Sequence, residues 1–391
     1  MRAYKFRMYP NKEQEILINK TFGCTRYIYN YFLDQKQKEY KEFGKTKTAF
    51  ECCNEIKILS IEKEWLKEVD SCALRCSIFD LDDAYTKFFK KIGNYPKFKK
   101  KFGKNSYRTN NMTSTYKNNN YESIQINFKN KTIKLPKLKE VMIRGYRNLS
   151  YLNGRIINAT ISKGASGRYY VSVVVEPKYN SITIKKENSI VGIDLGINDL
   201  VTTSEGEVYK NPKAFSKYEL RLKRMQRSLR RKEKGSNNYK KCKEKIGTIY
   251  RKIRNTRIYN LHEISKKITD NYKIIAVETL KIKKMMQKSK EKEISTKKRI
   301  AKSIGDCSWY ELLRQIEYKS KSKGNKYYQI ESNYASSQIC SICEYKNEEI
   351  KNLAIRSWEC PKCKNYHERD INASVNIMFK GLNRYIEECF G

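Results

Sequence analysis

Histidine is nearly absent, with His262 and His367 the only two in 391 residues. A Ser-His-Asp or Cys-His mechanism therefore has almost no choice of base, and carboxylate or metal chemistry is the better supported route to catalysis. Long apolar runs are missing too. No stretch approaches the ~18 residues needed to span a bilayer, and the opening MRAYKFRMYPNKEQ has no apolar leader region. No membrane partner is expected, and the chain reads as cytoplasmic or nuclear, where cysteines stay reduced. Acidic residues are scarce: 42 Asp plus Glu face 83 Lys plus Arg, for a formal charge of +41. The excess runs along the whole chain instead of sitting in a tail, which points to a polyanionic partner. Duplex nucleic acid carries about one charge per 1.7 Å, so such a charge would match very roughly 20 base pairs.

Aromatic residues are plentiful, with 30 Tyr and 14 Phe among the basic residues. They can stack on bases as well as fill a core, and most read as core.

Twelve cysteines are present, and four have metal spacing. Cys340 and Cys343 form one C-x2-C and Cys360 and Cys363 another, sixteen residues apart. That falls in the C-x2-C-x15–20-C-x2-C window of a four-thiolate zinc site. Four thiolates close the coordination sphere, so a structural Zn2+ clasp in a small ribbon is the expectation. The other eight (Cys24, Cys52, Cys53, Cys72, Cys76, Cys242, Cys307, Cys389) read as reduced, mostly structural thiols.

In chain order, Tyr4, Phe6 and Met8 alternate with Lys5 and Arg7 as a half-buried strand ending at Pro10. Asn11 with Gln14 resembles a capping pair, and a helical texture then runs to Lys91. The basic run Lys97 to Lys104 follows, either a solvated face or a phosphate contact. From Tyr121 short strands punctuated by turns (SIQINF, TIKLP, EVMIR, INATISKG, RYYVSVVVE) argue for a small antiparallel barrel that the first strand joins.

The second half alternates strands and helices. Ile190, Val191 and Ile193 form an apolar strand carrying Asp194, and LVTTSEGEVY reads as the hairpin after it. Lys213 to Lys267 is strongly basic and helical, either a solvated face or a nucleic-acid cradle. Ile274 to Val277 make a second apolar strand with Glu278 at its end, Lys281 to Lys302 reads as a basic loop, and Trp309, Leu312, Leu313 and Ile316 mark an amphipathic helix. Lys326 to Glu331 is one more strand before the cysteines, and Asp370 opens a helix seven residues after Cys363. This order suggests an α/β layer with a mixed sheet. Carboxylates at two strand ends and a helix start can converge on Mg2+, and a pair of such ions activates water for phosphodiester hydrolysis.

These segments together, GIDLGINDL, AVETLKI, the paired C-x2-C and HERDINASVNI, resemble the signature segments of the TnpB (OrfB) proteins of bacterial insertion sequences, relatives of the compact type V CRISPR nucleases. YKFRMYPNKEQ, VDSCALRCSIFDLDDAY, YPKFKKK and ISKGASGRYYVSVVVE extend the likeness over nearly the whole chain. The resemblance implies an α+β multidomain protein: a wedge β-barrel (1–20 and 111–186), an inserted helical recognition lobe (21–110), and a RuvC-like nuclease of RNase H fold (187–334 and 369–391) holding the zinc ribbon (335–368). It implies Asp194, Glu278 and Asp370 as catalytic, Mg2+-binding residues, and Arg369 as a phosphate contact. It further implies a guide RNA from the transposon end, one protein per RNA, target double-stranded DNA read beside a short flanking motif, and action in the bacterial cytoplasm at the nucleoid. Protein would read shape and flank while base pairing reads sequence.

One departure from the family pattern concerns the ribbon, where glycine usually follows the second and fourth cysteines. Here Glu344 and Lys364 stand at those positions, which often need φ > 0, so either the knuckles are strained or Asn347 and Asn365 take that role. Three other readings compete with an RNA-guided nuclease: a non-cleaving RNA-guided regulator, an RNA-independent strand transferase using the same carboxylates, and a zinc-ribbon adaptor.

Overall fold

The computed structural model describes residues 1–101, 103, 105–116, 119–145, 154–177, 189–287, 294–352 and 354–390. The chain divides into two compact units, Met1–Tyr179 and Asn180–Gly391. The domain boundary expected at 186/187 lies outside the described residues.

In the first unit, β1 (Arg2–Tyr9) turns Phe6 and Met8 inward and stops before Pro10. Helix α1 (Lys12–Phe43) starts with the expected reciprocal cap: the Gln14 N–H donates to Asn11 Oδ1 at 2.8 Å and the Asn11 N–H to Gln14 Oε1 at 3.0 Å. Thr48 and Glu51 cap α2 (Ala49–Glu62) in the same way, and Asp70 caps α3 (Ser71–Phe89). These helices close on Ile28, Phe32, Leu33, Leu74, Ile78 and Leu81.

The strands that follow are β2 (Asn105–Asn110), β3 (Thr113–Tyr116), β4 (Asn119–Glu122), β5 (Gln125–Asn127), β6 (Thr132–Leu135), β7 (Lys139–Arg144), β8 (Gly154–Lys163) and β9 (Tyr169–Pro177). Seven strands form one sheet in the order β2-β8-β9-β1-β7-β6-β5, every pairing antiparallel, while β3 and β4 pair with each other. The N-terminal strand therefore sits at the middle of this sheet, between β9 and β7, with Phe6 opposite Val171 and Met8 opposite Ile143.

The second unit contains β10 (Ile190–Asp194), β11 (Asp199–Thr203), β12 (Val208–Lys210), α4 (Ala214–Arg230), α5 (Asn237–Asn271), β13 (Ile274–Glu278), α6 (Ile282–Met286), α7 (Ile294–Cys307), α8 (Trp309–Lys323), β14 (Lys326–Ile330), β15 (Ser357–Glu359), β16 (Tyr366–Glu368) and α9 (Arg369–Phe390). The stretch read as a basic loop, Lys281 to Lys302, is largely helical instead, because it carries α6 and the first part of α7. Its lysines masked a helical pattern that packing supplies.

The five-stranded sheet runs β12-β11-β10-β13-β14 and is mixed as expected: β10, β13 and β14 are parallel, while β11 and β12 are antiparallel. Alternation along the strands gives the sheet two apolar faces. Val191, Ile193, Ile275 and Val277 pack with Leu261, Ile264 and Ile268 of α5 and Leu312 and Ile316 of α8. On the other face, Ala276 and Ile330 pack with Ile377 of α9.

Candidate functional site: a carboxylate cluster beside a four-cysteine ribbon

The two cysteine pairs fold as matching knuckles. Cys340 and Cys360 each accept at their carbonyls from the N–H of the residue after the second cysteine, Glu344 at 3.0 Å and Lys364 at 2.9 Å. Their own N–H groups donate to Tyr345 and Asn365, both at 2.9 Å. Cys340 Sγ lies 3.6 Å from Cys363 Sγ, Cys343 Sγ lies 3.5 Å from Cys360 Sγ, and all four sulfurs fall within 4.8 Å of one another. A tetrahedron with Zn–S bonds of about 2.3 Å places its sulfurs about 3.8 Å apart, so the set fits zinc.

Glu344 and Lys364 both stand at φ 60, the left-handed conformation that disfavours a side chain. Asn347, one of the residues that might have taken over this role, has φ −95, and Asn365 is not among the positive-φ residues. The chain accepts the strained backbone at the two family glycine positions.

Register brings the first two carboxylates together. Because β10 and β13 run parallel with Ile193 opposite Val277, Asp194 and Glu278 end neighbouring strands at the same edge of the sheet. Ligand sites in open α/β sheets form at such carboxyl ends. Asp370 enters from the first turn of α9. Burial pushes the Asp194 carboxyl up to about 7, and the negative charges of Asp370 and Glu278 add to this, opposed by the Leu195 N–H and Arg369. Burial also raises Glu278. A buried Asp194 whose ionisation is opposed by two neighbouring carboxylates marks a fit place for a cation, which would relieve both the burial and the repulsion. Among the described residues, only the four sulfurs are drawn within 4.8 Å of each other, so the carboxylates form the wider group.

Two glycines let α9 lie against the sheet. A Cβ on Gly192 of β10 would stand 1.9 Å from the Ser374 carbonyl oxygen and 2.5 Å from the Met378 nitrogen. A Cβ on Gly381 of α9 would stand 2.3 Å from the Cβ of Ala276 on β13. Helix backbone thus takes the place of a Gly192 side chain, and the Ala276 methyl takes the place of a Gly381 side chain, which seats the helix carrying Asp370 over the two strands carrying Asp194 and Glu278.

Arg369 is 7 % exposed, and its guanidinium donates to the Asn352 carbonyl at 2.7 Å and the Ile355 carbonyl at 3.2 Å. A more exposed cation, Arg356, lies 3.7 Å from Asp370. Sequence reading missed Arg356, the two seating glycines, and the polar residues His367, Asn372 and Asn376, which are all buried. The Asn372 and Asn376 pair, four apart on the inward face of α9, was the one available signal, since amides on an apolar face demand partners. Elsewhere in this unit, α4 buries only Ala214 and Leu222 and exposes Arg221, Arg224, Arg227 and Arg230.

Family models match the chain in three stretches: an OrfB probable transposase over residues 171–289, a helix-turn-helix domain over 1–45, and a Cas12f1-like TNB domain over 309–377. The stretch described as helix-turn-helix folds here as β1 followed by one 32-residue helix. A Streptomyces pristinaespiralis protein named "Putative RNA-guided DNA endonuclease" is 30% identical over 97% of this chain and 89% of its own length. The similarly named InsQ of Escherichia coli K12 is 29% identical over 97% and 92%. A TnpB-like protein of Acanthamoeba polyphaga mimivirus is 23% identical over 98% of this chain and 74% of its own. With nearly its full length aligned to such relatives, and the OrfB model falling on the strands that carry Asp194 and Glu278, the chain belongs to the TnpB (OrfB) family.

Proposed function

We propose that this protein is a transposon-encoded, RNA-guided DNA endonuclease with a single metal-dependent cleavage site. The observation that carries the reading is the convergence of Asp194 and Glu278, at the ends of parallel neighbours, with Asp370 on the helix seated over them. The names of its relatives support the same reading.

In this reading Asp194, Glu278 and Asp370 hold Mg2+, which supplies charge neutralisation at the phosphate and an activated water. Asp194 and Glu278 are fixed by strand register, and the glycine seat holds the body of α9, whose first turn carries Asp370, against those strands. The four cysteines hold a structural Zn2+. Residues 187–334 and 369–391 form the RuvC-like nuclease, 335–368 the ribbon, 21–110 the recognition lobe, and 1–20 with 111–186 the wedge, whose antiparallel sheet has β1 at its centre. In this assignment the last segment of the lobe, β2, pairs with β8 at the edge of the wedge's sheet.

The exposed arginines of α4 suit phosphate contacts to RNA or to the heteroduplex. The buried, carbonyl-bound guanidinium of Arg369 favours a positioning role over the phosphate contact that the resemblance implied. One chain would hold one guide RNA copied from the transposon end, and would recognise target DNA beside a short flanking motif.

The test is expression with the native flanking DNA, sequencing of the RNA that copurifies, and assay of the particle with Mg2+ on a library of randomised flanks. A discrete RNA with a variable guide, and loss of one flank motif from the library, are expected. Asp194→Ala should retain the RNA and cleave nothing. A discrete RNA with no cleavage by the unaltered protein would leave a guided binder, and end-joining without RNA would restore a transposase.

A further inference from the structure

Buried polar contacts tie the ribbon to the start of the helix that carries Asp370. The segment that contains Asp370 contacts Cys340 through His367 and the residues flanking it through Asn372 and Asn376. His367 Nε2 lies 3.1 Å from Cys340 Sγ, and toward a thiolate, which has no proton to give, that nitrogen is the donor. The Asn372 side chain brackets the same cysteine: its Oδ1 accepts from the Ser341 N–H at 2.9 Å and its Nδ2 donates to the Ile339 carbonyl at 2.7 Å. One turn further on, Asn376 Nδ2 donates to the Ile339 carbonyl at 2.7 Å and the Ser336 carbonyl at 2.8 Å. Arg369 adds its bonds to Asn352 and Ile355 in the ribbon's spacer.

All of these side chains are buried, His367 and Arg369 at 7 % exposure, Asn376 at 4 % and Asn372 at 2 %. Leaving any of their polar groups unpaired costs free energy, so the contacts form or break with the fold of the knuckle. The glycine seat does not duplicate them. It grips α9 at Ser374, Met378 and Gly381, beyond its first turn, whereas Asp370 lies between His367 and Asn372 in that first turn, directly after β16.

We propose that the four-cysteine ribbon is the positioning element for Asp370, with His367, Asn372 and Asn376 transmitting the metal-loaded state of Cys340 to the first turn of the last helix. Loss of the ribbon's metal releases Ile339–Ser341, and with them the clamp that keeps Asp370 over Asp194 and Glu278. His367, Asn372 and Asn376 are positioning residues in this account. The inference rests on the carboxylate cluster being the cation site proposed above.

The test reads cation binding directly, using Mn2+ alone as the probe, followed by electron paramagnetic resonance on the full-length protein. In the zinc-loaded wild type the carboxylate site should bind Mn2+, and removal of zinc with a selective chelator should weaken that binding tenfold or more. Asp370→Ala should bind weakly with zinc present, and removal of its zinc should change the affinity less than twofold, since the ribbon acts through that residue. Asn372→Ala should keep one zinc per chain and stay folded, with a thermal midpoint lowered by the lost buried hydrogen bonds, yet bind Mn2+ about tenfold more weakly at a temperature well below that midpoint. Asn372→Asp, which keeps the acceptor for Ser341 and loses the donor to Ile339, should fall between.

Equal Mn2+ affinity in the zinc-loaded and zinc-free wild type, or in zinc-bearing Asn372→Ala and wild type, would overturn the coupling. Were removal of zinc to unfold the chain, the Asn372→Ala comparison would still decide. Absence of Mn2+ binding in the zinc-loaded wild type would remove the carboxylate site and the coupling together. Expected Mn2+ behaviour without any DNA cleavage would leave the coupling standing and remove the nuclease.

Discussion

Gly192→Ala is the smallest change that separates the proposed catalytic geometry from the rest of the protein. Its new Cβ would sit 1.9 Å from the backbone oxygen of Ser374, with the Met378 nitrogen at 2.5 Å and the Met378 Cβ at 2.8 Å. Carbon–oxygen contacts in proteins recur down to about 3.3 Å, so the helix has to withdraw by about 1.4 Å along this contact. No rotamer relieves the clash, because two of the three atoms are backbone. Truncating Met378 would not help either.

Overpacking of this kind costs roughly 1–3 kcal/mol, which a chain of this size survives. Displacement of Asp370 by about 1 Å relative to Asp194 and Glu278 is the larger effect, since a misplacement of that order costs about 100-fold in rate. The assay is single-turnover cleavage of a matched target by the purified RNA-bound protein, with copurifying RNA and zinc content measured in parallel. Cleavage should fall about two orders of magnitude while RNA and zinc are retained. Cleavage within a few-fold of wild type, with an unchanged thermal midpoint, would refute the seating argument. Gly381→Ala, whose Cβ would meet Ala276 at 2.3 Å but three turns from Asp370, should destabilise comparably and slow cleavage less.

Further outcomes follow from the pKa of Asp194 and from the knuckle geometry. The Asp194 carboxyl, held up at about 7 against an ordinary 3.8, favours folding while protonated, and this contribution is lost as pH rises between those values. In buffer free of divalent ions other than the ribbon's zinc, Asp194→Asn should therefore be more stable than wild type at pH 8, by at most about 4 kcal/mol, with the difference vanishing near pH 4 in urea titrations. Glu344→Gly and Lys364→Gly each remove a side chain that the left-handed backbone at φ 60 disfavours, worth about 1 kcal/mol, and should slow zinc loss to a competing chelator several-fold; unchanged retention would show that the strain is relieved elsewhere.

Much of the site was legible in local pattern. The C-x2-C pairs announced the sulfur cluster because a knuckle is set by two intervening residues. Asp194 and Glu278 stood out as carboxylates ending all-apolar strands, and the Asn11 and Gln14 cap marked the start of α1. The phosphate contact at Arg369 came from the family resemblance alone; the spacer folds back to offer its guanidinium the Asn352 and Ile355 carbonyls, a burial that no local pattern announces. The helices within 281–302 were hidden by their lysines, which mimic a loop in any window too short to include the partners they pack against.

The sequence by itself determined the candidates: four thiols at metal spacing, three acids on apolar elements, and a positive charge suited to nucleic acid. Only the tertiary structure decided that the three acids gather at one end of the sheet. Asp194 comes beside Glu278 through a parallel register between strands separated by the whole α4–α5 hairpin, and Asp370 is brought over them because Gly192 admits the backbone of α9 where a methyl group would stand and Gly381 makes room for Ala276. The three amino acids that tie the ribbon to that helix, His367, Asn372 and Asn376, have no spacing signature. Their meaning comes from burial, which turns an ordinary amide or imidazole into a group that must find its partner.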